Sequence, residues 1–150
     1  MALLDRLRRL LPGLWAGWLI CVAALATPAA FALLERAVAG HVVARMLAQE
    51  AYTSLVLGVV LLVLERLEAR HAAVKGRGSQ FTVGMVLALA ALFCTVLGYF
   101  ALQPMMEAAR AGQGSLTFGQ LHAISLAFYG LKGLLVLALA WRGLNPAPSS

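Results

Sequence analysis

Residues 118–141 read FGQLHAISLAFYGLKGLLVLALAW. A helix needs roughly 20 predominantly apolar residues to cross the hydrocarbon of a bilayer, and this stretch supplies them. It also carries His122, Ser125, Tyr129 and Lys132. The length predicts a membrane-spanning helix. The polar side chains require partners, because no water is available to them there.

Working outward, two further stretches are equally plain. Leu10–Leu34 contains no charge, and neither does Phe81–Gln103. Between them only Ala51–Leu64 is free of charge. At a rise of ~1.5 Å per residue that run covers about 21 Å of a ~30 Å core, so the helix must draw on charged neighbours. Downstream, ERLEAR holds four charges in six residues; upstream, RMLAQE holds two. Extension upstream is cheaper and carries Glu50 below the membrane surface. The expected spans are therefore 10–34, 47–66, 81–104 and 119–141. They form a single all-α domain, a four-helix transmembrane bundle. Glu35–Gln49 is expected as a surface lead-in to the second span, with His41 and His71 solvated in loops. ARHAAVKGRGSQ reads as a flexible connection, and NPAPSS as a tail whose prolines keep it from continuing a helix.

Composition agrees. Of 150 residues, 62% are hydrophobic and 12% charged, against about 45–50% and about 25% in soluble domains. The net charge of +6 does not point to nucleic acid, because the basic residues are dispersed among apolar spans rather than gathered with aromatics. They instead orient the chain. With the N-terminus in the cytoplasm, that side holds Arg6, Arg8, Arg9, Arg66, Arg70, Lys75, Arg77 and Arg142, and the other holds Arg36, Arg45 and Arg110. Eight against three satisfies the positive-inside rule, so both termini are expected in the cytoplasm of a cell whose inner membrane holds the protein. The first apolar run is longer than the core of a secretory signal, which favours an uncleaved first helix. Cys21 and Cys94 lack metal-ligand spacing and read as small buried hydrophobes. Trp15, Trp18 and Trp141 lie toward the cytoplasmic ends, where belt anchoring explains at least Trp141. Gly13/Gly17 and Ala123/Ala127 are small-residue pairs that permit close helix approach.

At about 100° per residue, His122, Ser125, Tyr129 and Lys132 fall within an arc of roughly 80° on the fourth helix. A polar stripe of this kind faces other helices or a cavity. By depth, His122 is expected one turn below the outer surface, level with Glu50 on the second helix and Gln103 on the third. These three form a candidate ligand-binding layer, with Ser125, Tyr129 and Lys132 added from the stripe. Simpler readings pair Glu50 with Arg45 and leave His122 bridging to a neighbour or to interfacial water. Lys132 lies deeper, near the midplane, where a lysine costs about 2.5–3.5 kcal/mol and needs a partner. With no carboxylate expected at that depth, its candidate partners are the hydroxyls of Tyr129, Tyr99 and Thr95. The carbonyl of Ala24, whose i→i−4 donor Pro28 removes, is another. Pro28 and Pro104 are expected to be structural. Met46, Met105 and Met106 near the outer face most simply pack, although thioether and imidazole also suit Cu(I).

LWAGW opening the first span, TPAAF closing it, LQPMM ending the third and FGQLHAIS opening the fourth together resemble one family. These are bacterial domain-of-unknown-function membrane proteins related to eukaryotic transmembrane protein 205. The resemblance implies a four-helix integral membrane protein and singles out Pro28, Gln103, Pro104, His122 and Ser125. It implies no reaction and no cofactor.

No Ser/His/Asp spacing, phosphate-binding loop or paired carboxylates appear, so enzymatic chemistry is not expected. The leading expectation is a protein that binds or passes a small solute or ion through a polar site in the non-cytoplasmic half. The alternatives are a haem- or copper-binding redox protein and a structural subunit of a membrane complex. Partners are the lipid bilayer and a second copy or a membrane-complex partner, with no nucleic acid.

Overall fold

A computed structural model describes residues 2–74, 76 and 81–144. The KGRGSQ part of the second connection and the NPAPSS tail lie outside those residues, apart from Gly76. The apolar runs of the sequence lie in four long helices: α1 (Leu3–Leu33), α2 (Arg36–Val74), α3 (Val83–Arg110) and α4 (Phe118–Leu144). Each is long and apolar enough to cross a membrane. The chain is an all-α, four-helix membrane bundle.

Local chemistry sets the helix ends. Thr82 is extended and accepts a hydrogen bond from the Met85 amide (3.2 Å), capping α3. Thr117 and Gln120 form a reciprocal capping box before α4. The Gln120 amide donates to the Thr117 hydroxyl (3.3 Å) and the Thr117 amide to the Gln120 side-chain oxygen (2.9 Å). Past Arg110 the chain turns through Gly112 at φ 73° and Gly114 at φ 95°, a conformation that glycine adopts without a Cβ penalty. The Glu35–Gln49 stretch is not a separate lead-in. It is continuous with α2, which at 39 residues is about 58 Å long. His41 and His71 accordingly lie on this helix, exposed, each against the carbonyl four residues before it.

Two helices widen into π-helical turns, at Cys21–Ala26 in α1 and Val96–Ala101 in α3. Each precedes a proline. A proline ring inside a helix clashes with the carbonyl four residues back, here Ala24 for Pro28 and Phe100 for Pro104. Both carbonyls belong to the widened turns. In α1, the Thr27 amide and hydroxyl both donate to the Val22 carbonyl.

The helices form a ring in chain order: α1 packs on α2 and α4, and α3 packs on α2 and α4. In the half nearest the termini all four meet in one core of Trp15, Ala16 and Leu19 from α1, Leu61 from α2, Ala91 from α3 and Val136 from α4. Beyond the π-helical turns that unity is lost. The end of α1 packs chiefly on the start of α2, through Ala30, Ala39 and Val43. The end of α3 packs on the start of α4, through Leu102, Met106 and Leu121. The half away from the termini is thus two hairpins, each with its own apolar cluster.

Close approach depends on glycines other than the small-residue pairs of the sequence. A Cβ on Gly98 would stand 2.6 Å from Phe128 Cβ on α4, and one on Gly84 would collide with the Glu65 carboxylate. Gly13 and Gly17 have nothing within 4 Å of such an atom, and Ala123 and Ala127 are exposed.

Candidate functional site

Three residues of the polar stripe on α4 each reach a different one of the other three helices. Ser125 Oγ donates to the Gly98 carbonyl, inside the π-helical turn of α3 (2.7 Å). Tyr129 Oη donates to the Leu19 carbonyl of α1, just before the other π-helical turn (2.9 Å). Lys132 Nζ donates to both carboxylate oxygens of Glu50 on α2, at 2.8 and 3.0 Å. Positions 125, 129 and 132 follow the helical i, i+4, i+7 rule, which places all three on the inward face.

The Glu50–Lys132 pair is the electrostatic centre of the molecule. Glu50 is 2% exposed and Lys132 3%. The pair joins α2 to α4, which stand opposite each other in the ring. Around it the polar atoms are satisfied in series. Trp15 Nε1 donates to Ser54 Oγ (2.8 Å), and the Ser54 hydroxyl donates to Glu50 Oε1. The Lys132 ammonium also stands 4.8 Å from the centroid of the Tyr129 ring, a cation–π distance. Glu50 is about 22 Å along α2 from Glu65 and Lys132 about 15 Å along α4 from Arg142, at ~1.5 Å per residue. Both therefore lie well inside helices long enough to cross a ~30 Å hydrocarbon layer.

This arrangement corrects the expected layer of Glu50, Gln103 and His122. Glu50 faces Lys132, not a histidine or Arg45. The reason is that α2 begins far upstream, so Glu50 is deep within it. Side chains lean toward the N-terminus of their own helix, so the Lys132 stem runs away from the termini and meets Glu50. The partners expected for Lys132 are corrected likewise. Of the three hydroxyl residues, Tyr129 offers its ring face and Thr95 bonds its own helix at Ala91 (2.9 Å). His122 is exposed. Its ring stacks on Phe118 (centroids 5.8 Å apart), and Arg110 lies 4.5 Å over the same Phe118. Gln103 is half-buried and hydrogen-bonds to neither Glu50 nor His122. The methionines are dispersed: Met46 packs in one hairpin cluster, Met106 in the other, and Met105 is exposed. Cys94 is buried and Cys21 exposed.

Two participants escaped the sequence reading. Trp15, given no specific role in the sequence, is fully buried; the requirement that a buried indole N–H find an acceptor was the available signal. Ser54, one turn after Glu50, was the other. A second charged layer lies at the end bearing the termini. Arg8 Nη1 bonds Glu65 Oε1 (3.1 Å), Arg8 and Arg9 both hold Asp5 (3.2 and 3.0 Å), and the Thr82 hydroxyl reaches Glu65 Oε2 (3.4 Å).

Residues 10–115 match the family described as "Domain of unknown function (DUF4149)". The chain belongs to this family. The matched range takes in Glu50, Pro28, Gln103, Pro104 and both π-helical turns of this DUF4149 chain, while α4, with Lys132, lies beyond it. No curated protein and no solved structure matches the chain. Among its described residues, no group of three or more His, Cys, Asp or Glu side chains is disposed to hold a metal ion. His122 belongs to no such group.

Proposed function

We propose that this DUF4149 protein is a non-enzymatic, single-domain, multi-pass protein that binds or passes a small solute or ion at the Glu50–Lys132 centre. The observation that carries this reading is the complete, almost wholly buried ion pair between two helices long enough to cross a membrane. Replacing a buried pair with packed apolar side chains is often neutral or stabilising by about 1–4 kcal/mol, so stability alone gives no reason for it. Charges inside membrane spans mark ion pathways and coupling sites. The position of the pair adds support: it lies where the common core ends and the two hairpins begin, so access comes from the half away from the termini. Ser125 and Tyr129 hold α4 in register there. Gln103 and His122 lie outside the centre, His122 about 15 Å further along α4 than Lys132.

The excess of Lys and Arg near the termini supports a cytoplasmic location for both, in a bacterial inner membrane. On that orientation the site opens to the non-cytoplasmic half. The motifs around Pro28, Gln103–Pro104 and His122 support kinship with transmembrane protein 205.

A second reading, an accessory subunit whose polar groups only fix helix packing, is favoured by the full satisfaction of the polar atoms of the pair. One experiment separates the two. The chain and its Glu50→Gln/Lys132→Met double variant, reconstituted in vesicles, are compared for binding and flux of protons, sodium and potassium. Activity lost in a folded double variant is the expected result; unchanged activity, or none in either protein, leaves the accessory reading.

A further inference from the structure

The Glu50–Lys132 centre is filled. Lys132 Nζ occupies both carboxylate oxygens, the Ser54 hydroxyl takes a further acceptor site on Oε1, and both charged residues are almost wholly buried. The hollow of about 470 Å³ beside Phe31 and Arg36 does not reach it. A metal cation or an organic solute would have to expel the ammonium before touching the carboxylate. A proton needs no such volume. We infer that the ion taken up at this centre is the proton, and that Glu50 receives it. The inference rests on the proposed reading of the site and narrows its substrate class.

The step is simple to balance. A proton from water adds to a Glu50 carboxylate oxygen, forming one O–H bond; no other covalent bond breaks, and nothing is oxidised or reduced. The charge of the pair goes from zero to +1. An isolated ammonium in a medium of low dielectric is strongly unfavourable, so Lys132 is driven toward water. Its stem already points away from the termini, to where α1–α2 and α3–α4 are separate hairpins. Uptake of the proton thus cuts the only salt bridge between α2 and α4 among the described residues. Other titratable groups near the pair are few. Cys94 and Tyr99 lie within electrostatic reach from α3, and Tyr129 from α4. The residue that α1 turns toward the centre is Trp15, which does not titrate. None of these, Lys132 apart, carries a charge at neutral pH that could replace Glu50 as partner.

The test is infrared difference spectroscopy of the full chain in phosphatidylcholine vesicles, between neutral and acidic buffer. The expected result is a carboxylic-acid C=O band that grows on acidification, is lost in Glu50→Gln, persists in Glu65→Gln and shifts in Glu50→Asp. The Asp variant keeps the measurement decisive if the Gln variant does not fold. A band unchanged in both Glu50 variants, or no band, overturns the inference. Parallel sodium and potassium uptake separates the two levels. Cation uptake that depends on Glu50 without the band leaves the site reading intact and removes the proton; absence of both removes the reading as well.

Discussion

Among the described residues, two ion pairs tie helices together, and their contact distances are alike. Arg8–Glu65 closes at 3.1 Å and Lys132–Glu50 at 2.8 Å. Their surroundings are not alike. The side chains of the first pair are 26% and 11% exposed and those of the second 4% and 3%. At the rim, Asp5 also holds Arg8, and Thr82 also reaches Glu65. At the centre, removing either charge leaves the other with no acceptable neighbour. The same bond is therefore one of several interchangeable contacts in one place and an obligatory partnership in the other.

The largest effect is expected from breaking the central pair on one side. Lys132→Met leaves a buried carboxylate and should cost about 3–5 kcal/mol. The double variant Glu50→Leu/Lys132→Met should recover most of that loss or exceed the wild type, because the attraction removed was offset by desolvation. Thermal unfolding in detergent reads both. A single variant no worse than the corresponding change at the rim would break the comparison.

Most of the architecture was legible because it is set by length. Leu10–Leu34 and Phe81–Gln103 contain no charge, and hydrocarbon admits few alternatives to a helix. The shortness of Ala51–Leu64 pointed to a helix that continues upstream through Glu50, as α2 does, and helical periodicity put Ser125, Tyr129 and Lys132 on one face. The pairing of Glu50 with Lys132 was not legible. It joins residues 82 apart in sequence on opposite helices, and the crossing geometry that unites them is written in no local pattern. The π-helical turns were missed because Pro28 and Pro104 announce a disturbed ladder without saying how it resolves. Gly13 and Gly17 misled because spacing alone does not tell which face meets a neighbour; Gly58, Gly84 and Gly98 make close approaches instead.

The rim pair sharpens the contrast through salt. Arg8→Gln should cost no more than about 1 kcal/mol, as partly exposed pairs generally do. That cost should shrink as ionic strength rises, because the screening length falls to about 3 Å at 1 M salt. The cost of Lys132→Met should not, since counterions do not enter the hydrocarbon layer. Unfolding of each variant in low and high salt checks this, and equal salt dependence would mean that both pairs share one environment.

The smallest effect is expected at His122, which shares the arc of Lys132 on a helical wheel yet stacks on Phe118 in the open. It hydrogen-bonds to no other described residue, so His122→Ala gives up one ring contact and little buried surface. The change should stay within about 0.5 kcal/mol, the range of surface substitutions, and should leave the Glu50 infrared band in place. Its outcome bears on the comparison because His122 and Lys132 differ in position along α4 by about 15 Å while sharing an arc of roughly 80°. If His122→Ala cost as much as Lys132→Met, face would govern the polar stripe. A negligible cost assigns that control to distance from water, the variable that already separates the two ion pairs.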